Sequence, residues 1–165
     1  MTKRTLIAAT AGSATFASAG LLASTSPLTL VRIAVLGGAL AAASYYDLTQ
    51  RRIPNRIVLP AGVACAVLTL AAGAPLSLLA GLATVLLLLV VSLRWPAALG
   101  MGDVKLALLL LLGLDGSALR ALALGLVLAG LAGCALVARH GRTALRASLP
   151  LAPFIAAGAL VAVVV

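Results

Sequence analysis

Residues 76–93 read LSLLAGLATVLLLLVVSL, eighteen positions without one charged side chain. A helix needs about 20 mostly apolar residues to cross a hydrocarbon core of ~30 Å. A soluble domain could hide such a helix only beneath polar surface, and this chain has little. Of its 165 residues 64% are hydrophobic and 9% charged, and its mean hydropathy is +1.25. Soluble domains run at about half apolar and about a quarter charged. The composition therefore excludes a soluble globular enzyme and a disordered tail. Low aromatic content (3%) with abundant Leu, Ala and Gly suits helices packed in lipid, where small residues let backbones approach.

Outward from this stretch, further apolar segments run over 5–24, 28–46, 57–73, 104–114, 118–138 and 150–165. The breaks carry turn and polar residues: Ser26-Pro27, Asp47–Arg56, Gly73-Ala74-Pro75, Arg94-Trp95-Pro96, Asp115-Gly116-Ser117 and Arg139–Arg146. The expected fold class is all-α, a polytopic transmembrane helical bundle of about six to seven spans. The 104–114 segment is short, covers only about half the core at 1.5 Å per residue, and is expected to start within the membrane. Residues 1–27 are read as an N-terminal hydrophobic segment and 28–165 as the membrane-embedded domain. Lys3 and Arg4 with Ala17-Ser18-Ala19 have the look of a signal peptide, but the apolar stretch is long for one, and a retained helix is expected.

Twelve Lys and Arg face three acids, for a net charge of +9. With the N-terminus in the cytoplasm and seven spans, Lys3, Arg4, Arg51, Arg52, Arg56, Arg94, Lys105, Arg139, Arg142 and Arg146 fall on the cytoplasmic side. Only Arg32 and Arg120 fall outside, the asymmetry of the positive-inside rule. It puts the Asp47–Arg56 and Arg94–Lys105 loops on one face. No basic run is interleaved with aromatics, so nucleic acid is not an expected partner. Lipid is. Cys65 and Cys134 lie in apolar runs with no CxxC pair; they read as two small buried thiols, with no metal site and no cofactor expected.

The acids are Asp47, Asp103 and Asp115, and there is no glutamate. Asp115 lies in an Asp-Gly turn and reads as structural. Asp47 follows Tyr45-Tyr46 at the end of the second span, and Asp103 opens the fifth in Gly100-Met101-Gly102-Asp103-Val104-Lys105. Two carboxylates brought together cannot both ionise cheaply, so such a pair shares a proton. One can then activate water while the other hydrogen-bonds a peptide carbonyl. Gly100 and Gly102 would permit a close backbone approach that a Cβ blocks. On spacing alone the bland alternative stands: Asp103 as an N-cap and Asp47 balancing Arg51 and Arg52. An ion-coupled transporter also uses intramembrane carboxylates, although both acids sit at one boundary and no internal repeat is evident. A structural subunit of an envelope assembly would need neither. His140, beside Arg139, reads as a solvated boundary residue. Gly125, Gly130 and Gly133 offer small-residue faces for packing within or between protomers.

The stretch Asp47-Leu-Thr-Gln-Arg-Arg-Ile-Pro-Asn55 resembles the first motif of the type IV prepilin peptidases, and Gly100-Met-Gly-Asp-Val-Lys105 resembles their GxGD motif. Leu149-Pro-Leu-Ala-Pro-Phe-Ile-Ala-Ala-Gly158 is similar to the proline-phenylalanine segment that opens their last helix. The three occur in family order over roughly residues 30–160. The resemblance implies a membrane aspartic endopeptidase that removes the short basic leader from prepilins or pseudopilins, after a glycine, on the cytoplasmic side of the plasma (inner) membrane. It carries Asp47 and Asp103 over as the catalytic pair, Gly100 and Gly102 as the loop that shapes the site, and Pro54 and Asn55 as motif support. Lys105 also matches; of holding an aspartate ionised and reaching the lipid headgroups, the second is expected. Larger members add a cysteine-paired zinc-binding region and methylate the new N-terminus. No CxxC and no long polar insertion are present here, so methyltransferase activity is not expected.

Overall fold

The chain alternates long apolar stretches with short polar or Gly/Pro breaks, and each apolar stretch becomes a helix. The computed structural model describes residues 2–23, 26–73, 75–95, 100–141 and 149–165. The described residues form seven α-helices and no strand: α1 Lys3–Leu22, α2 Pro27–Gln50, α3 Asn55–Ala71, α4 Pro75–Arg94, α5 Met101–Leu114, α6 Ala118–His140 and α7 Ala152–Val164. A 3-10 turn, Asp115–Ser117, joins α5 to α6. By length and composition Lys3–Leu22, Pro27–Gln50 and the stretch Met101–His140 can cross a membrane, while Asn55–Ala71, Gly81–Arg94 and Ala152–Val164 are shorter apolar helices. Ser24, the breaks at Ala74 and Pro96, and the basic residues Arg142 and Arg146 lie outside the described residues.

Local signals set the ends. Ser26 Oγ accepts from the Thr29 amide at 3.3 Å and Pro27 opens α2, the arrangement favoured at helix starts. The far end of α2 runs past the apolar stretch 28–46 into the polar break that begins at Asp47. The helix runs on to Gln50, so Asp47 lies in its last turn. Arg51 then adopts the left-handed conformation, φ 53°, and donates its N–H to the Asp47 carbonyl at 3.1 Å. Ile53, placed before Pro54, is disfavoured from helix, and α3 begins at Asn55. The fifth helix also begins earlier than expected, at Met101, with Gly100 as its N-cap. Its 14 residues extend ~21 Å at 1.5 Å each.

α2 is the hub, packed against α1, α3, α5 and α7. Leu36 and Leu40 of α2, Leu106, Leu109 and Leu110 of α5, Cys65 of α3 and Ile155 of α7 are all fully buried in one core. α1 lies along α2, and α6 along α7. The α6–α7 pair approaches backbone to backbone: a Cβ on Gly125 would sit 2.8 Å from Ile155 Cα, and one on Gly158 would strike the Gly125 amide. This is the use of small residues at helix crossings in lipid, and it places Gly125 inside the protomer. Gly130 meets nothing within 4 Å. The outer faces are apolar, with Leu86, Leu87 and Val90 on α4 and Leu126, Val127 and Leu131 on α6 exposed; a soluble monomer rarely shows so much. Cys65 is buried as expected, whereas Cys134 is exposed on α6.

The ends of the helices sort into two sets. One cavity is lined by residues of the α2–α3 loop, the start of α5 and the approach to α7. A second, of about 380 Å³, is lined by Ala23, Thr29, Ser117 and Val163, at the opposite helix ends. The Asp47–Arg56 stretch and the described residues 100–105 thus lie at one end of the bundle. At the opposite end the Asp-Gly turn is more than a turn. Asp115 is ion-paired with Arg32, which is buried. Arg32 also donates to Thr69 Oγ1 at 2.9 Å, and Thr69 donates to the Leu112 carbonyl at 2.9 Å. The sequence reading had Arg32 as an outer boundary charge; the ion pair makes its burial tolerable.

Candidate active site

Gly100 begins the site. As N-cap it leaves Asp103 third in α5, not at the cap position the sequence allowed. From there the Asp103 carboxylate reaches back to accept the Gly100 amide N–H, the reciprocal half of a capping box. Across the cavity, the last turn of α2 presents Asp47. Its Oδ2 accepts the backbone N–H of Ala152 at 3.0 Å, the first residue of α7. Three elements far apart in sequence therefore meet here.

The cavity is about 1030 Å³ and contains both carboxylate residues, Gly100, Gly102, Pro54, Asn55 and Lys105. Every residue singled out in the two motifs lines it. Gly102 faces the loop, where a Cβ would come 3.1 Å from Ile53 Cδ1, so a larger residue would push the two motif loops apart. Pro54 is the N-cap of α3. Lys105 Nζ donates to Asn55 Oδ1 at 2.7 Å, bridging the two motifs. Arg51, Arg52 and Arg56 add positive charge to the lining.

Asp103 lies in the first turn of α5, inside the stretch Met101–His140 that can cross a membrane, and lines the cavity with Asp47. Two carboxyls held in one cavity cannot both ionise cheaply. A proton shared between them would leave one carboxyl to take a proton from water and the other to donate one, the arrangement needed for paired acid and base work.

Sequence reasoning missed several members. Tyr46 lines the cavity and stands edge-on to Tyr45, with ring centroids 6.0 Å apart; the Tyr-Tyr-Asp order was its signal. Leu149 and Leu151 line it as well, and the amide of Ala152 reaches Asp47. The proline-phenylalanine segment pointed to that stretch without revealing a contact made through backbone. His140 is exposed at the end of α6, with Nδ1 3.3 Å from the Leu136 carbonyl, away from the cavity.

The sequence profile of the type IV leader peptidase family matches residues 34–138. That span includes α2 from its second turn, both aspartates and the GxGD loop. No curated protein and no solved structure matches the chain.

Proposed function

We propose, from the premise that this chain belongs to the type IV leader peptidase family, that it is a two-aspartate endopeptidase of the membrane, clearing the basic leader from prepilins or pseudopilins. Membership makes it a peptidase of a family that works by aspartic chemistry on prepilins, and its long apolar helices make it an integral membrane protein. The finer reading is ours, and one observation supports it best: Asp47 and Asp103, far apart in sequence, line one cavity together with Gly100 and Gly102.

In this reading Asp47 is the base and Asp103 the acid. Water gives a proton to the Asp47 carboxylate as its oxygen attacks the scissile carbonyl carbon. The Asp103 proton passes to the carbonyl oxygen, giving a tetrahedral diol. On collapse the C–N bond breaks, the amine nitrogen takes the proton from Asp47, and Asp103 recovers its own. General acid and base terms of this kind are each worth about 10²–10⁴-fold. The substrate's apolar helix lies in the bilayer beside the bundle, its leader in the cytoplasm. The excess of basic residues on the cavity side supports a cytoplasmic site in the plasma (inner) membrane, with six to seven crossings. We take 28–165 as the peptidase domain and α1 as retained. No N-methyltransferase activity is assigned.

The test is co-expression with a C-terminally tagged prepilin that has a basic leader, a glycine and an apolar helix. Wild type removes the leader, while Asp47→Asn and Asp103→Asn insert into the membrane and leave it intact. Cleavage by either variant at the wild-type rate overturns the two-aspartate reading.

A further inference from the structure

We infer that α7 is a positioning element of the reaction, acting through the backbone N–H of Ala152 on the Asp47 carboxylate. The inference rests on the two-aspartate reading and adds to it the origin of the base's orientation. The hydrogen bond, Ala152 N to Asp47 Oδ2 at 3.0 Å, spans 105 positions of the chain. Ala152 is fully buried, so water is poorly placed to replace that donor.

The sequence at the start of α7 leaves this donor uncrowded. The first N–H groups of a helix have no partner inside it. Pro153 follows Ala152 and has no N–H to offer. The amides of Phe154 and Ile155 both turn back to the Leu151 carbonyl, each at 3.1 Å. The amide directed at Asp47 is therefore that of Ala152. It sits at the positive end of the helix dipole, where a carboxylate is favoured. From Ala152 to Val164 the helix carries no titratable side chain, so its influence on Asp47 is a backbone influence. With Oδ2 engaged, Oδ1 is the oxygen presented to the reacting water. The seat of α7 is itself fixed, by fully buried Ile155 and by the close crossing of Gly158 over Gly125.

The experiment removes only the donor. Ala152 is replaced by lactic acid, which turns the amide before it into an ester, and Ala156 is replaced likewise as a control that loses an N–H one turn further along. Full-length protein is purified in detergent and assayed on a prepilin that wild type cleaves, beside Asp47→Asn and Asp103→Asn. For the Ala152 ester, kcat falls about tenfold or more, the scale of a lost hydrogen bond to a charged group. KM stays within about twofold, because substrate binding is untouched. The Ala156 ester keeps kcat within about twofold of wild type. Equal kcat losses in both esters mean that α7 is merely structural and overturn the inference, as does an Ala152 ester with wild-type kcat. If the esters behave as wild type and both Asn variants are inactive, only this inference fails. If the Asn variants cleave, the reading beneath it fails.

Discussion

Lys105 reaches from the GxGD motif across to the Ile-Pro-Asn motif. Its Nζ lies 2.7 Å from Asn55 Oδ1, so Lys105→Met and Asn55→Ala should each slow cleavage. The double variant should be no worse than the poorer single one, with a coupling of ~1 kcal/mol in a double-mutant cycle. Additive losses would show that the bridge carries no weight. The match of Asn55 and Lys105 to the two motifs was legible in the sequence. Their partnership was not, because a lysine near a membrane boundary reads equally well as a headgroup contact.

Helices were legible from apolar runs alone, since each run of leucine, alanine and valine between breaks became one. Their polar ends were less so. Asp47, Thr49 and Gln50 look like a loop by hydropathy, yet they continue α2 until Arg51 turns left-handed. Polar residues at a water-facing helix end obey backbone hydrogen bonding rather than apolar periodicity. The contact of α7 with Asp47 was beyond reach for a different reason: a backbone donor leaves no trace in side-chain identity. What the sequence did carry was the glycine that seats the helix. At Gly158 a new Cβ would strike the Gly125 amide and the Ala121 carbonyl, backbone atoms that cannot swing aside. Gly158→Val should therefore destabilise by about 1–3 kcal/mol and, by shifting α7, reduce cleavage by the protein that remains folded. Gly130→Val, at a position with nothing within 4 Å, serves as the comparison and should leave cleavage unchanged. Specific activity per folded molecule, measured after size exclusion, separates the two. Equal activity of both variants would show that α7 can move without consequence for the site.

Across the whole molecule the two ends do different work. The cavity end gathers the motif residues, while the opposite end is tied by Arg32, Asp115 and Thr69, which join α2, the α5–α6 turn and α3. The same three pieces of chain carry the motif loops at their other ends: α2 ends near Asp47, α3 starts at Asn55 and α5 starts beside Asp103. Rigid helices held at one end are also held in register at the other. Each of the tied residues was visible in the sequence, but nothing local joined them. Arg32 read as a boundary charge and Asp115 as a turn, because their wide separation along the chain hides the pair. Breaking a buried ion pair by removing one partner costs about 3–5 kcal/mol, since the other charge is left unpaired, whereas replacing both with apolar groups is often nearly neutral. Asp115→Asn should accordingly lower the melting temperature in detergent sharply, and it should cost more than Asp47→Asn, which leaves no buried arginine behind. Arg32→Met combined with Asp115→Leu should recover most of the loss. If the pair also sets the register of the helices, this stable double variant will still cleave more slowly than wild type. Wild-type cleavage by it would assign the network to stability alone. A double variant no more stable than Asp115→Asn would instead show that Thr69 and the Leu112 carbonyl depend on the Arg32 guanidinium for their place.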